Sequence, residues 1–283
     1  IPEFYDAEAK LESMDRKGLT LSVISPGPQS FFYNLKDADL ALKTARLVND
    51  GVARMVAHKP DRLRGMATLP MQHPDAAIVE LERVVKDYGF KAVEIGTAIG
   101  EEELAESKFR PVLRRMQELK LVVFAHPNTQ GSGGRLDCYY LTNLIGNPLD
   151  TTIMVGKLMF SGALDELKEL RFLLAHGGGF LPYQIGRFEH GHTVRPDTAA
   201  ATQAKPLQMF KQFYFDALTH HRQAIRHLID MVGSERVVIG TDSPFDMGEE
   251  QPTERLNAVP RLTDKEREDV SYRSAIRLFG GEL

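Results

Sequence analysis

Three apolar runs in this 283-residue chain each end in a residue that can bind a metal or move a proton. Val122-Val-Phe-Ala-His126 is followed by Pro127, Phe172-Leu-Leu-Ala-His176 by three glycines, and Val237-Val-Ile-Gly-Thr-Asp242 by Ser243-Pro244-Phe245. A neutral imidazole at the end of a strand is a good metal ligand. A carboxylate at the end of a strongly apolar run is costly to bury unless it is paired or bound to a cation. His126 therefore reads as a metal ligand, Asp242 as a ligand or acid–base group, and His176 as a third ligand or a general acid/base. Taken singly, each has a plainer reading, as a hydrogen-bonded rim histidine or an aspartate capping the turn before Ser243-Pro244. Three such endings in one chain favour the chemical reading.

Other polar groups carry weaker signals. Gly177-Gly178-Gly179 let backbone approach a ligand closely, and a helix opening near Leu181-Pro182 could aim its N–H groups at an anion. No Gly-Lys-Ser/Thr follows, so this is not a nucleotide loop. Arg187, in the charged stretch Gly186–Asp197, offers a guanidinium fork suited to a carboxylate, or else lies on a solvated helix face. His190-x-His192 has ligand spacing for a strand, but no strand-like run precedes it. Of His220 and His221, adjacent after another run, at most one could face the site. His58, His73 and His227 read as surface residues. Cys138 is the single cysteine, so no internal disulfide forms, and a reducing cytoplasm is the expected setting.

The elements that must position these residues follow from periodicity. Strand-like runs recur at Leu19–Ser25, Leu63–Leu69, Lys91–Ile95, Leu121–His126, Arg171–His176, Phe213–Leu218 and Arg236–Thr241, with helical patterns between them. Helices are expected over Asp6–Lys17, Asp37–Ala57, Asp75–Tyr88, Phe109–Leu119 and Thr151–Leu164. A further one over Gln223–Val232 should end in a left-handed cap at Gly233. Thr263-Asp-Lys-Glu266 is a capping box opening the last helix. Strict β–α alternation predicts a parallel sheet covered by helices, and the length suits one (β/α)8 TIM barrel over residues 1–283. Seven strands are counted where a closed barrel needs eight. Asp6–Lys17 is already the first helix, so the missing first strand is expected to precede Ile1. The stretch at about 128–170, with its Gly131-Ser-Gly-Gly134 turn, is a candidate lid. Net charge is −4 with no basic stripe, and no apolar run reaches the roughly 20 residues of a membrane span, so neither nucleic acid nor membrane is an expected partner.

The order of Asp15-x-Lys17-Gly18, Thr68-Leu69-Pro70-Met71-Gln72, His126-Pro127, Ala175-His176-Gly177-Gly178-Gly179, Gly186-Arg187-x-x-His190-Gly191, Arg195-Pro196-Asp197 and Gly240-Thr241-Asp242-x-Pro244-Phe245 resembles the amidohydrolase superfamily. Within it, the similarity is to the branch of 2-amino-3-carboxymuconate 6-semialdehyde decarboxylase. The resemblance runs from about Asp6 to the end. It implies a divalent metal, usually zinc with manganese or magnesium as alternatives, held in the barrel mouth by His126 and Asp242. It implies that His176 is an acid/base acting on a metal-bound water. It also implies that Arg187 grips a substrate carboxylate in the neighbouring subunit of a homodimer. Relatives carry two more ligands in a His-x-His on the first strand, and a second substrate-binding arginine after it; both would lie upstream of Ile1. Asn128 stands where relatives have tryptophan, which changes the pocket wall.

The expected activity is a metal-dependent, non-oxidative decarboxylase (a carboxy-lyase) of a small unsaturated or aromatic carboxylic acid. An amidohydrolase-type hydrolase of a lactone or amide would use the same site. If the polypeptide truly began at Ile1, a metal-free binding or scaffold barrel would be the reading from another class.

Overall fold

Apolar runs of five to seven residues punctuated by helices produce seven parallel strands in the computed structural model, which describes residues 1–128 and 134–281. The strands are β1 (Ser22–Ile24), β2 (Leu63–Ala67), β3 (Ala92–Gly96), β6 (Val122–His126), β7 (Arg171–Leu174), β8 (Tyr214–Asp216) and β9 (Val237–Val238). They pair in the order β1-β2-β3-β6-β7-β8-β9, every neighbour parallel. A small antiparallel hairpin, β4 (Ala98–Ile99) with β5 (Glu102–Glu103), caps the end of β3 and was not foreseen from periodicity. It turns through Gly100 at φ +65°, and strands of two residues are too short to show a period.

Alternation of side chains builds two apolar layers. Val23, Met66, Ala92, Val122, Leu173, Tyr214 and Val238, one from each strand of the main sheet, meet in the interior, where Leu278 and Phe279 of the C-terminal segment form the floor. The opposite faces, including Val93, Val123, Phe172, Leu174, Phe215 and Val237, pack against the helices in the larger core. This is a (β/α)8 barrel lacking its first strand in this chain: β1 and β9, which would flank that strand, are the edges of the sheet. β9 is shorter than its apolar run because the ladder stops there. The Thr241 carbonyl instead accepts from the Glu249 N–H at 2.7 Å.

Helix boundaries follow the capping chemistry. The Asp6 carboxylate caps Ala7–Arg16, Asp37 caps Ala38–His58, and Thr263 with Glu266 forms the capping box. Gly89 provides a left-handed cap for Pro74–Tyr88. Gly233 does not: at φ 85° and ψ 146° it is extended in a region open to glycine, and so leads straight toward β9. The expected single helix over Thr151–Leu164 is two, Asn147–Phe160 and Ala163–Glu166, parted at Gly162 with φ +74°. Asn147–Phe160 buries Met154, Val155, Leu158 and Met159 in the core, so the helical half of the 128–170 insertion belongs to the helical layer. Residues 129–133 of its glycine-rich turn lie outside the described residues. No helix among the described residues is long and apolar enough to cross a membrane.

Candidate metal centre

His126 closes β6 in phase with its interior side chains: Val122 and Phe124 face inward, Val123 and Ala125 outward, so His126 points into the barrel. Asp242 lies four residues past Val238, where β9 ends, on a left-handed backbone (φ 50°), and its carboxylate meets His126. At His176 the strand phase points the other way. Leu173 faces inward and Leu174 outward, so alternation places Ala175 inward and His176 toward the helices. A left-handed backbone at His176 (φ 54°) and Gly177 (φ 62°) reverses this and returns the ring to the interior.

The three side chains meet at the C-terminal end of the sheet. His126 Nε2 lies 3.5 Å from Asp242 Oδ1, His176 Nε2 lies 3.7 Å from Asp242 Oδ2, and the two imidazole centroids are 4.9 Å apart. One ligand-capable atom from each falls within 4.8 Å of the others. His126 Nδ1 contacts the Pro127 carbonyl at 2.8 Å, which assigns the proton to Nδ1 and leaves a lone pair on Nε2. That buried Nε2 has no hydrogen-bond partner. It faces a carboxylate oxygen, an arrangement of two acceptors that a cation would satisfy, so His126 and Asp242 fit a divalent metal by their donor chemistry.

Charge within the cluster is mutually supportive. Burial alone would raise the Asp242 carboxyl pKa, but the imidazoles of His126 and His176 outweigh it and hold the group well below the usual carboxylate range. Burial would lower His126, yet Asp242 and Glu94 outweigh it and raise it. Glu94, fully enclosed on β3, is pushed up by burial and accepts from the Gly27 N–H at 3.0 Å, pinning the loop that follows β1. Asp216, at the end of β8, accepts from the N–H groups of His176, Gly177 and Leu218 at 3.0, 2.8 and 3.0 Å. Neither Glu94 nor Asp216 was singled out from sequence. Each is a lone carboxylate in an apolar strand, the same signal that marked Asp242.

A cavity of about 660 Å³ runs from this cluster down between β1 and β9 to Leu173, Val238 and Phe279 at the floor. Arg187 is not among its lining residues. It sits exposed on the outer helix Leu181–Val194, so it does not reach the cavity of its own chain. The remaining histidines stay outside the cluster. His192 is buried against the Thr202 carbonyl, His190 and His227 are exposed, and His58 pairs with Glu8 at the surface. His73 and His221 precede helices, and His220 only offers its carbonyl to Arg255.

Comparison with known proteins places this geometry. The chain is 30% identical over 277 residues to 2-amino-3-carboxymuconate-6-semialdehyde decarboxylase of Dictyostelium discoideum, covering 98% of this chain and 77% of that protein. It superposes on 2,6-dihydroxybenzoate decarboxylase complexed with 2,6-dihydroxybenzoate with a TM-score of 0.87 at 25% identity, covering 96% of this chain and 87% of the other. A dihydroxybenzoic acid decarboxylase from Polaromonas sp., solved with manganese and the inhibitor 2-nitroresorcinol, gives a TM-score of 0.84 at 25% identity, covering 97% and 85%. The sequence pattern of the amidohydrolase family matches residues 3–281: the chain belongs to that family.

Proposed function

We propose that this protein is a metal-dependent, non-oxidative decarboxylase of a small unsaturated or aromatic carboxylic acid. The observation that carries this reading is the orphaned His126 Nε2 facing Asp242 and His176 at the C-terminal mouth of the sheet. His126 and Asp242 would hold a divalent cation, zinc by the resemblance, with manganese supported by the relative solved with that ion. Such a cation, when bound, supplies charge stabilisation for the substrate's oxygens. His176 manages the proton. In decarboxylation the bond to the carboxyl carbon breaks, CO2 leaves, and the electron pair stays on the former α-carbon, which must take up a proton. His176 is the remaining titratable group of the cluster and its ring faces the same space; general acid–base help of this kind is worth about 10²–10⁴ in rate.

Two further parts complete the proposal. The space between β1 and β9 supports a strand of this polypeptide ending in His-x-His, which would close the sheet and complete the ligand set. A second copy of the chain would receive Arg187 and cover the exposed apolar residues Ile145, Leu149 and Ile153, spaced i, i+4 and i+8. The exposed thiol of Cys138, alone in the chain, supports a reducing, cytoplasmic setting. Incubation with 2,6-dihydroxybenzoate and related ring acids, with added zinc or manganese, tests the reading: release of CO2 is expected. Ring opening of a lactone, or amide cleavage, without CO2 would replace it with the hydrolase.

A further inference from the structure

We infer that Asp216 is the positioning residue of His176: its carboxylate holds the backbone reversal that turns the imidazole into the site. The inference rests on the reading of His176 as the proton-handling group. The alternation of β7 sends residue 176 toward the helices, and only the left-handed conformations at His176 and Gly177 bring it back. For a residue with a Cβ that conformation is disfavoured, so something must hold it. The two successive N–H groups it exposes converge on one anion, as in a backbone nest. Asp216 supplies that anion. Its Oδ2 accepts from His176 and its Oδ1 from Gly177, with Leu218 closing a third bond from its own strand end.

The neighbouring strand is shaped around the same carboxylate. A Cβ at Gly240 would lie 2.8 Å from Asp216 Cβ and 3.1 Å from its Cγ, closer than side chains approach. Gly240 stands two residues before Asp242. Asp216 on β8 thus sits between the strand that delivers His176 and the strand that delivers Asp242, and touches the backbone of the first while requiring glycine in the second.

Asp216→Asn keeps the shape but turns one of the two acceptors into a donor aimed at an N–H. In the metal-loaded enzyme, kcat for CO2 release is expected to fall by about 10²-fold with KM within about threefold, because a displaced acid/base costs chemistry and not substrate binding. The amide of Gly177 should exchange with solvent faster than in the unmodified protein, a readout independent of activity. Where Asp216→Asn does not fold, Gly240→Ala presses on the same carboxylate from the next strand and should lower kcat, not raise KM. A folded Asp216→Asn protein with unchanged kcat and unchanged Gly177 exchange would overturn the inference. An unmodified enzyme that decarboxylates none of the acids would instead remove the functional reading, and Gly177 exchange would still decide whether Asp216 holds the turn.

Discussion

The strongest test of the centre is to remove its three side chains one at a time, since one shared cluster is assigned two different jobs. Asp242 is mostly enclosed, with its two oxygens 3.5 and 3.7 Å from the imidazole nitrogens of His126 and His176. Two unit charges about 4 Å apart in a partly screened site interact by about 4 kcal/mol. Loss of the carboxylate's charge beside a divalent ion costs at least that, or about 10³ in metal Kd. Asp242→Asn preserves the shape, so the loss reports charge and not a cavity. His126→Ala removes the Nε2 lone pair and should weaken metal to a similar degree. His176→Ala should leave metal Kd within about tenfold, the scale of an outer contact, while CO2 release falls by about 10² or more. Competition against a chromophoric chelator with zinc and manganese, on polypeptide retaining any upstream segment, measures the first quantity, and initial rates the second. If His176→Ala loses metal as Asp242→Asn does, His176 is a ligand and the division of roles is refuted. If Asp242→Asn keeps its Kd within threefold, Asp242 leaves the ligand set.

Other consequences follow from single contacts. Arg187→Ala should mainly raise KM, and mixing inactive His176→Ala chains with Arg187→Ala chains should restore activity at low substrate concentration if Arg187 acts across a dimer; subunit exchange without recovery would leave Arg187 with no role at the site. Gly179 lies at φ 65° and ψ −131°, and a Cβ there would come within 2.2 Å of the Pro148 carbonyl oxygen. Gly179→Ala should therefore cost about 2–3 kcal/mol and lower Tm by about 5 °C or more, read by calorimetry. Asp269, enclosed and bonded to Lys265, Ser234 and Arg277, has its carboxyl lowered from an ordinary 3.8 to about 2, burial being outweighed by these partners. A folded-state pKa below the unfolded one stabilises above the unfolded value, so Asp269→Asn should cost about 1–2 kcal/mol near neutral pH. Denaturant titrations should show that gap closing as pH falls from about 4 toward 2.

The barrel was legible because its signals are local and redundant. Seven apolar runs bury both faces and the helices between them bury one, and no tertiary contact is needed to see the two kinds of segment alternate. His126 and Asp242 were legible for the same reason, as polar residues ending apolar runs. The missed parts depend on contacts between distant segments. Ala98–Ile99 pairs with Glu102–Glu103 only because Gly100 turns between them, and Gly233 escapes the left-handed cap because β9 must start four residues later. Asp216 and Glu94 lie inside strand-like runs, where neighbouring apolar residues mask a single carboxylate. Arg187 lies outward, as both the solvated-face and the neighbouring-subunit readings require, because Leu181 and Ile185 pack inward on its helix.

On the proposed reading, one strand would fill both the gap in the sheet and the gap in the ligand set. Edges in a parallel sheet leave N–H and C=O groups without partners, and here the edges of β1 and β9 border a cavity where the interior layer should continue. A strand laid between them in the same sense would end at the rim where His126 and Asp242 converge. Residues i and i+2 on that strand would share its inward face. Two ligands in that spacing would approach the cation from the side opposite β6, raising the donor count from the two proposed here toward the three or four that zinc takes from protein. His176 would then remain free to carry protons, with its backbone turned by Asp216 and its ring beside Asp242.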